Sequence, residues 1–500
     1  MLFNSYEFIL VFLPAVLAGA YLLRGSGKRW LELWLLLASF VFYAWWDVKY
    51  LPLLLGSVAV NYLGALFIEW TRSRMALAAM IAFNLALIGY YKYLGFFTQI
   101  ASDSLVEQPW NLTVLALVLP LGISFYTFQQ IGYQIDRWRG KASKHDFIDY
   151  MLFVTFFPQL IAGPIVRLSE FLPQLRGLAQ RLSTNNILIG LTIFSIGLFK
   201  KVIFADTFAL YATPVFDIAA KGTVLDGQTA WLGVLAYTFQ IYFDFSGYSD
   251  MAIGLGRMLG INLPLNFNAP YRSTSITDFW RRWHITLGRF LRDYLYFPIG
   301  GSHVAPPRQF ANLMVVMLLC GLWHGAAWTF VVWGGLHGLA LAVDRLWVRL
   351  YSSDQPRGLV WRSSGWALTF FFVVVTWVFF RADSLGTAGS MLQSMFSPAS
   401  FETTVRVPGL GGTEGWLAQT EVGWSAILLA TIWVLVAPTM QDLMRRRMRS
   451  PMYQPYIARA AALFRPEWRP ATVWVVGSAA IFAAAFLGLS RVTEFIYYNF

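Results

Sequence analysis

The chain has 500 residues, of which 57% are hydrophobic, 17% aromatic and only 13% charged, and its mean hydropathy is +0.54. This composition excludes an ordinary soluble domain and predicts an all-α polytopic membrane protein. The net charge of +12 fits basic loops and contact with anionic lipid headgroups, and without a zinc finger or a long basic arm it does not indicate nucleic-acid binding.

Long apolar runs recur along the whole chain. A helix needs about 20 apolar residues to cross the hydrocarbon core of a bilayer, and the runs predict roughly a dozen crossings, a few of them re-entrant or interfacial. In chain order the runs are 8–23, 30–46, 50–68, 75–91, 112–128, 150–166, 187–204, 231–245, 313–333, 366–380, 424–438 and 473–489. The first run lacks a basic start and a small-residue cleavage site, so we expect it to remain as a helix.

The charges of the connecting loops predict the orientation. Basic loops at 24–29, 72–74 and 137–144 alternate with acidic or weakly charged loops at 47–49 and 103–107. Because basic loops stay in the cytoplasm, we expect the N-terminus on the opposite side of the membrane.

No repeat or low-complexity linker divides the chain, so we predict a single domain over residues 1–500. The Gly- and Thr-rich stretch 397–421 is predicted to be a surface loop. A further cytoplasmic loop is indicated by clustered arginines, which are Arg445, Arg446, Arg447 and Arg449. One last helix would then return Phe500 to the outside.

The densest polar chemistry lies between residues 244 and 301. A lipid-facing helix would not tolerate this concentration of polar side chains. We expect these residues to line a polar passage or to orient His284; the alternative is that they satisfy backbone groups in a re-entrant segment. They are Asp244, Ser246, Tyr248, Asp250, Asn266 and Asn268.

Residues 277–296 are predicted to form one interfacial helix. Ser275 and Asp278 match a capping box, and Pro298 marks a stop. A helical projection separates an aromatic face from a basic face that carries Arg281, Arg282, Arg289 and Arg292. Such a helix lies in the membrane plane at the cytoplasmic side, where its arginines bind a donor's phosphates or simply anchor in lipid headgroups.

Two histidines are the main catalytic candidates. His324 lies inside the apolar run 313–333, where an ionisable side chain is a functional candidate, although a hydrogen bond between helices would also explain it. His284 lies near Arg281, whose charge favours a neutral imidazole. Both histidines are expected to line one passage, which suits a reaction whose donor and acceptor lie on opposite sides.

Two neighbours of His324 allow further roles. Cys320, the only cysteine, lies one helical turn before His324, so a Cys–His nucleophile pair is one reading and simple packing is the other. His337 adds a third imidazole if Gly334 and Gly335 break the helix, and is a packing residue if they do not. The spacing does not match a metal site, and we expect none.

The residues in this region resemble the membrane-bound O-acyltransferase family, and within it the membrane subunit of bacterial alginate O-acetylation. The resemblance rests on segments 266–272, 279–284 (FWRRWH), 290–296 (FLRDYLY) and 322–325 (LWHG), and continues at 123–129, 131–139, 157–164 and 377–382. It covers the chain up to about residue 392, whereas residues 397–500 are less familiar.

The resemblance implies a helical bundle around a central polar passage. It assigns His324 to the near-invariant intramembrane histidine of the family and His284 to its second histidine. It further implies that acetyl passes from acetyl-CoA across the bacterial inner membrane, with a periplasmic N-terminus and without a bound cofactor. A periplasmic acetyltransferase and other polysaccharide-synthesis subunits would be partners. Alginate is the expected final acceptor; cellulose, peptidoglycan and teichoic acid are alternatives.

Acyl transfer requires a base and a donor to the oxyanion. We predict that His324 is the general base, with direct attack to give an acyl-imidazole as the alternative. The indole N–H of Trp323 or a backbone amide near Gly321 or Gly325 is a candidate oxyanion donor. A secondary transporter or a scaffold of a glycan-export complex would also be rich in helices, but neither would consume acetyl-CoA.

Overall fold

A computed structural model describes residues 1–104, 118–141, 143–351, 358–402, 419–448 and 471–490, with isolated positions 407, 408, 410, 453, 468 and 469. Over these residues the secondary structure is helical, with no strand, which confirms the predicted all-α class.

The described helices in the first half of the chain range from 4 to 21 residues in length. They are α1 Leu13–Leu22, α2 Lys28–Ala44, α3 Leu51–Thr71, α4 Arg74–Ile88, α5 Leu94–Ser104, α6 Ile123–Trp138, α7 Phe147–Thr155, α8 Phe157–Leu160, α9 Leu168–Leu175, α10 Leu178–Arg181, α11 Thr184–Phe199 and α12 Asp206–Ala220.

The second half contains the longest helix and a helical hairpin. Its helices are α13 Gly227–Met258, α14 Ile276–Trp280, α15 Ile285–Leu291, α16 Pro306–His324, α17 Trp328–Leu350, α18 Leu359–Arg381, α19 Leu385–Phe396, α20 Thr420–Val436, α21 Met440–Leu443 and α22 Thr472–Leu487. Among the described residues, π-helical segments also occur at Phe8–Phe12, Gly89–Tyr93, Lys200–Ala205 and Arg292–Tyr296.

The chain separates into two compact units. The first consists of Met1–Ser195 and Tyr248–Pro264, and the second of Ile196–Gly247 and Leu265–Phe500. The single domain over residues 1–500 stays a prediction.

Two kinds of interior hold the first unit together. Packed aromatic rings, including Phe8, Phe42 and Phe157, join its N-terminal segment to α2 and α8. The helices α3, α4 and α6 are instead held together by hydrogen bonds between buried side-chain amides. Asn61 Nδ2 donates to Asn84 Oδ1 at 3.1 Å and to Gln130 Oε1 at 3.0 Å. Because hydrocarbon offers these amides no partner, the network fixes the register of the three helices.

The basic loop predicted at 24–29 is partly neutralised by the start of α7. Lys28 Nζ lies 3.0 Å from Asp149, and Arg29 pairs with Asp146. The Arg29 guanidinium lowers the pKa of the Asp146 carboxyl to about 2, so this pair is ionised at neutral pH.

Within the described ranges, five helical segments are long and apolar enough to cross a membrane, and two shorter apolar helices lie at 420–436 and 472–487. The five are Phe8–Gly25, Val48–Thr71, Arg74–Ala101, Thr184–Ala220 and Leu359–Arg381. Part of the predicted run 112–128, most of the predicted loop 397–421, Arg449 and the end of the chain lie outside the described residues.

Some predicted crossings are wrong because local backbone breaks interrupt them. The run 150–166 is divided at Phe156, which leaves the helical region (ψ 108°) one residue before α8, a helix with proline in its first turn. The run 313–333 is divided at Gly325, whose backbone is extended (φ −162°, ψ 148°). Hydropathy reports an uninterrupted run in both cases, because the residues at the breaks are themselves apolar or small.

Candidate active site

The α16–α17 hairpin places His324 at a helix end. Glycines allow the two helices to pack backbone against backbone: a Cβ at Gly321 would overlap the carbonyl oxygen of Phe330, and one at Gly334 would overlap that of Met317. The helix α16 ends at His324, and Gly325 donates its amide to the Gly321 carbonyl at 3.3 Å. The sequence predicted His324 in the middle of one membrane crossing. The structure instead places it at the turn of a hairpin.

Adding a methyl group at Gly321 is expected to open the hairpin. We predict that Gly321→Ala destabilises the protein by about 1–3 kcal/mol and lowers acyl transfer, because the displaced backbone leads directly to His324. Gly335→Ala is the matched control, since its Cβ would meet Leu318 at 3.6 Å, an ordinary contact. The melting temperature in detergent and the acyl-transfer rate measure both effects; equal behaviour of the two variants would contradict this role of Gly321.

His324 is enclosed by aromatic rings and is only 2% exposed. Its ring centre lies 4.8 Å from that of Trp323, 5.3 Å from Trp333 on α17 and 5.1 Å from Phe380 on α18. Cys320, one turn earlier on α16, is fully buried. The rings exclude bulk water around the imidazole and strengthen its electrostatic interactions.

His284 lies in a turn where the sequence predicted a continuous helix. Ser275 caps α14 as predicted, by accepting from the Asp278 amide at 3.2 Å. However, α14 ends at Trp280, and α15 begins at Ile285. Between them His284 adopts a left-handed conformation (φ 41°, ψ 54°), which costs about 1–3 kcal/mol in a non-glycine residue. The single helix over 277–296 was therefore a wrong prediction.

Hydrogen bonds on both sides hold this strained turn. The backbone amide of Asn268 donates to the backbone carbonyl of Arg282 at 2.9 Å, and the backbone amide of Ile285 donates to the backbone carbonyl of Asn266 at 2.9 Å. The Asn266 side chain also contacts the ring, with Oδ1 3.0 Å from His284 Nδ1. The segment 266–268 thus holds the backbone of the turn in its left-handed conformation.

His284 is completely buried, with the ring edge-on to Phe245 on α13 at 4.8 Å. Burial lowers the pKa of His284 to about 3, so the imidazole is neutral at neutral pH. The sequence predicted this neutral state but attributed it to Arg281, which is exposed.

The fold brings the two histidines together. Their ring centres are 6.4 Å apart, and Trp323 lies 6.1 Å from His284. At this separation the ring nitrogens stay beyond the roughly 2.7–3.2 Å of a direct hydrogen bond, so the two imidazoles do not bond to each other. The two candidate catalytic histidines therefore belong to one site.

The predicted basic face is divided by the turn. Arg281 is exposed, Arg289 is half-buried, and Arg282 Nε donates to Asp278 at 2.9 Å. Arg292 pairs with Asp293 at 2.8 Å in the π-helical segment that follows α15. The four arginines therefore do not form one uninterrupted stripe.

Sequence reasoning missed a buried ion triad that includes Asp244. Lys201 Nζ lies 2.7 Å from Asp244 Oδ1 and 2.8 Å from Asp206 Oδ1, and all three side chains are at most 7% exposed. Lys201 is carried by the π-helical segment Lys200–Ala205, a feature common at functional sites. A lysine at the end of the apolar run 187–204 was the available signal. Asp250 and Tyr248 belong to the first compact unit.

His337 is a packing residue, because α17 continues through Gly334 and Gly335. Trp280 Nε1 donates to His337 Nδ1 at 3.2 Å, and His337 Nε2 lies 3.1 Å from Thr376 Oγ1. Both ring nitrogens thus contribute to joining α14, α17 and α18.

Comparison with known proteins decides the class of this site. Residues 139–385 match the membrane-bound O-acyltransferase (MBOAT) family. The chain is similar to the peptidoglycan O-acetyltransferase of Helicobacter pylori, with 45% identity over 430 residues that cover 79% of this chain and 80% of that protein. The chain belongs to the MBOAT family.

Other MBOAT relatives differ in the glycan in their names. A probable alginate O-acetylase AlgI of Pseudomonas aeruginosa is 43% identical over 406 residues, covering 79% of this chain and 75% of the relative. A teichoic acid D-alanyltransferase of Streptococcus thermophilus is 29% identical over 240 residues, covering 46% and 57%. This MBOAT chain is thus a multi-pass membrane O-acyltransferase, and the transporter and scaffold alternatives are set aside.

Proposed function

We propose that this MBOAT enzyme takes acetyl from acetyl-CoA at the cytoplasmic face of the bacterial inner membrane and delivers it for O-acetylation of an exported polysaccharide. The observation that carries the proposal is the pair of buried imidazoles, His284 and His324, with ring centres 6.4 Å apart. The N-terminus is periplasmic in this proposal. A periplasmic acetyltransferase and other polysaccharide-synthesis subunits complete the route.

In the proposed reaction, His324 is the general base. It removes the proton of the accepting hydroxyl while the oxygen attacks the acetyl carbonyl carbon; the C–S bond then breaks, and the CoA thiolate takes up a proton. Because His324 ends α16, the partial negative charge of the helix C-terminus stabilises the imidazolium that forms. His284, whose ring centre lies 6.4 Å from that of His324, belongs to the same reaction centre. Trp323 remains the candidate donor to the oxyanion.

Alginate is the final acceptor that we propose, and peptidoglycan is the second candidate. The similarity to the alginate O-acetylase of Pseudomonas aeruginosa supports the first, and the similarity to the Helicobacter pylori enzyme supports the second. Both acceptors present hydroxyl groups outside the inner membrane, so they differ in the partner that completes the transfer and not in the first step.

The test uses sealed inner-membrane vesicles from cells that make one glycan or the other. Acetyl-CoA with a radiolabelled acetyl group is added outside inverted vesicles, which expose the cytoplasmic face. We expect CoA release and base-labile label on the enclosed glycan, and neither in right-side-out vesicles or in vesicles from cells without the gene. Label that appears without the gene product, or only in right-side-out vesicles, would refute the proposal. The host whose glycan is labelled identifies the acceptor.

A further inference from the structure

The side chain of Asn266 receives three hydrogen bonds on one atom. Its Oδ1 accepts from the Thr286 amide at 3.3 Å and from Thr286 Oγ1 at 2.9 Å, and it lies 3.0 Å from His284 Nδ1. A backbone N–H is always a donor, so the contact with the Thr286 amide identifies this atom of Asn266 as the carbonyl oxygen and not the NH₂ group.

This assignment determines which nitrogen of His284 carries the proton. A carbonyl oxygen only accepts, so Nδ1 must be protonated to bond to it. In a neutral imidazole the other nitrogen, Nε2, then carries the lone pair. Within the part of the chain that the structure describes, Nε2 is buried and makes no hydrogen bond.

We infer that Asn266 and Thr286 are positioning residues that lock His284 in the Nδ1–H tautomer, which makes the lone pair of Nε2 the hydrogen-bond acceptor that His284 offers to the reaction centre. Asn266 also holds the left-handed turn, because its backbone carbonyl accepts from the Ile285 backbone amide. The consequence for catalysis rests on the proposed function, whereas the tautomer does not.

The tautomer can be measured without activity. Full-length protein labelled with ¹⁵N-histidine is reconstituted in liposomes, and solid-state NMR distinguishes protonated from unprotonated ring nitrogens. The chain has five histidines, so a His284→Gln variant identifies the resonances of His284. We expect protonated Nδ1 in the wild type and loss of this state in Asn266→Leu. A wild-type His284 protonated at Nε2 would overturn the inference, whatever the activity.

Activity variants test the effect on catalysis. Asn266→Leu removes the acceptor, and we expect acetyl transfer to fall by up to about 10⁴-fold at every pH, which is the effect of the wrong tautomer at a catalytic histidine. Asn266→Asp keeps the acceptor but adds a negative charge, which favours the imidazolium. Since imidazolium has no lone pair, activity should be low in acid and recover as pH rises, with a midpoint at higher pH than the acid limb that His324 gives the wild type. A purely structural role would leave this midpoint at its wild-type pH.

The surroundings of His284 make this pH limb interpretable. Among the described residues whose rings contact the His284 ring, the titratable one is His324 of α16; α13 presents Phe245, and Asp244, next to it in the sequence, is paired with Lys201. Asn312→Leu is the control for loss of a buried asparagine, because Asn312 binds loop carbonyls of Ile299 and Gly301; we expect it to retain transfer. If the NMR spectra show the expected tautomer but the wild type consumes no acetyl-CoA, the proposed function is refuted and the inference about the tautomer stands.

Discussion

Replacing His324 by alanine is expected to abolish glycan acetylation while the protein remains in the membrane. Loss of a general base lowers the rate by about 10²- to 10⁴-fold. His324→Gln keeps most of the side-chain volume within the ring of Trp323, Trp333 and Phe380, and we expect the same loss. The measurement is glycan-bound acetate in cells that lack the native gene and carry each variant, normalised to its membrane abundance.

His337→Gln is the matched control for His324. His337 is also a buried histidine of the hairpin, but its two nitrogens contact Trp280 and Thr376. We expect this variant to be less abundant, because each group left unsatisfied costs about 1–3 kcal/mol, and to retain acetylation per molecule. Full acetylation by His324→Gln would show that His324 packs the hairpin and carries no chemistry.

Removing the charge of Lys201 is expected to have the largest effect on stability. Lys201→Met leaves the carboxylates of Asp206 and Asp244 buried without this cation. Removing one partner of a buried ion pair lowers the free energy of unfolding by about 3–5 kcal/mol. Because a folded domain is stable by only about 5–15 kcal/mol, we expect a sharp fall in membrane abundance and in the melting temperature in detergent.

Two further variants separate charge from shape. Lys49 lies 2.7 Å from Asp47, the same distance as Lys201 from Asp244, but the Lys49 side chain is 61% exposed. Lys49→Met should therefore leave membrane abundance and the melting temperature close to the wild-type values. The neutral triple variant Lys201→Met, Asp206→Asn, Asp244→Asn should recover abundance. If it does so but no longer transfers acetyl, the charges of the triad serve the transfer as well as the stability; wild-type abundance of Lys201→Met would rule out the stabilising role.

Several features of the site were visible in the sequence. The apolar composition determined the helical membrane class, and the spacing of Ser275 and Asp278 located the start of α14 where the structure has it. The motifs around His284 and His324 indicated the family and both candidate histidines. These signals are local: they depend on a residue and its neighbours within one or two helical turns.

The geometry of the site depends on contacts that are distant along the chain. His284 adopts a left-handed conformation because Asn266 and Asn268, some 16 to 18 positions earlier, bond to the backbone beside it. Without these bonds the periodicity of 277–296 favours a continuous helix, which is what the sequence predicted.

By itself, the sequence determined the membrane class, the positions of several long apolar helices and the chemical identity of the candidate site. Only the tertiary structure decided that His324 ends a helix, that the two imidazoles lie with ring centres 6.4 Å apart, and that Asp244 pairs with Lys201, 43 positions earlier. The physical reason is that hydropathy and periodicity indicate only which faces of a segment contact lipid, water or the protein interior. A strained turn, a glycine-packed hairpin and a buried ion triad are stabilised by partners that another segment supplies.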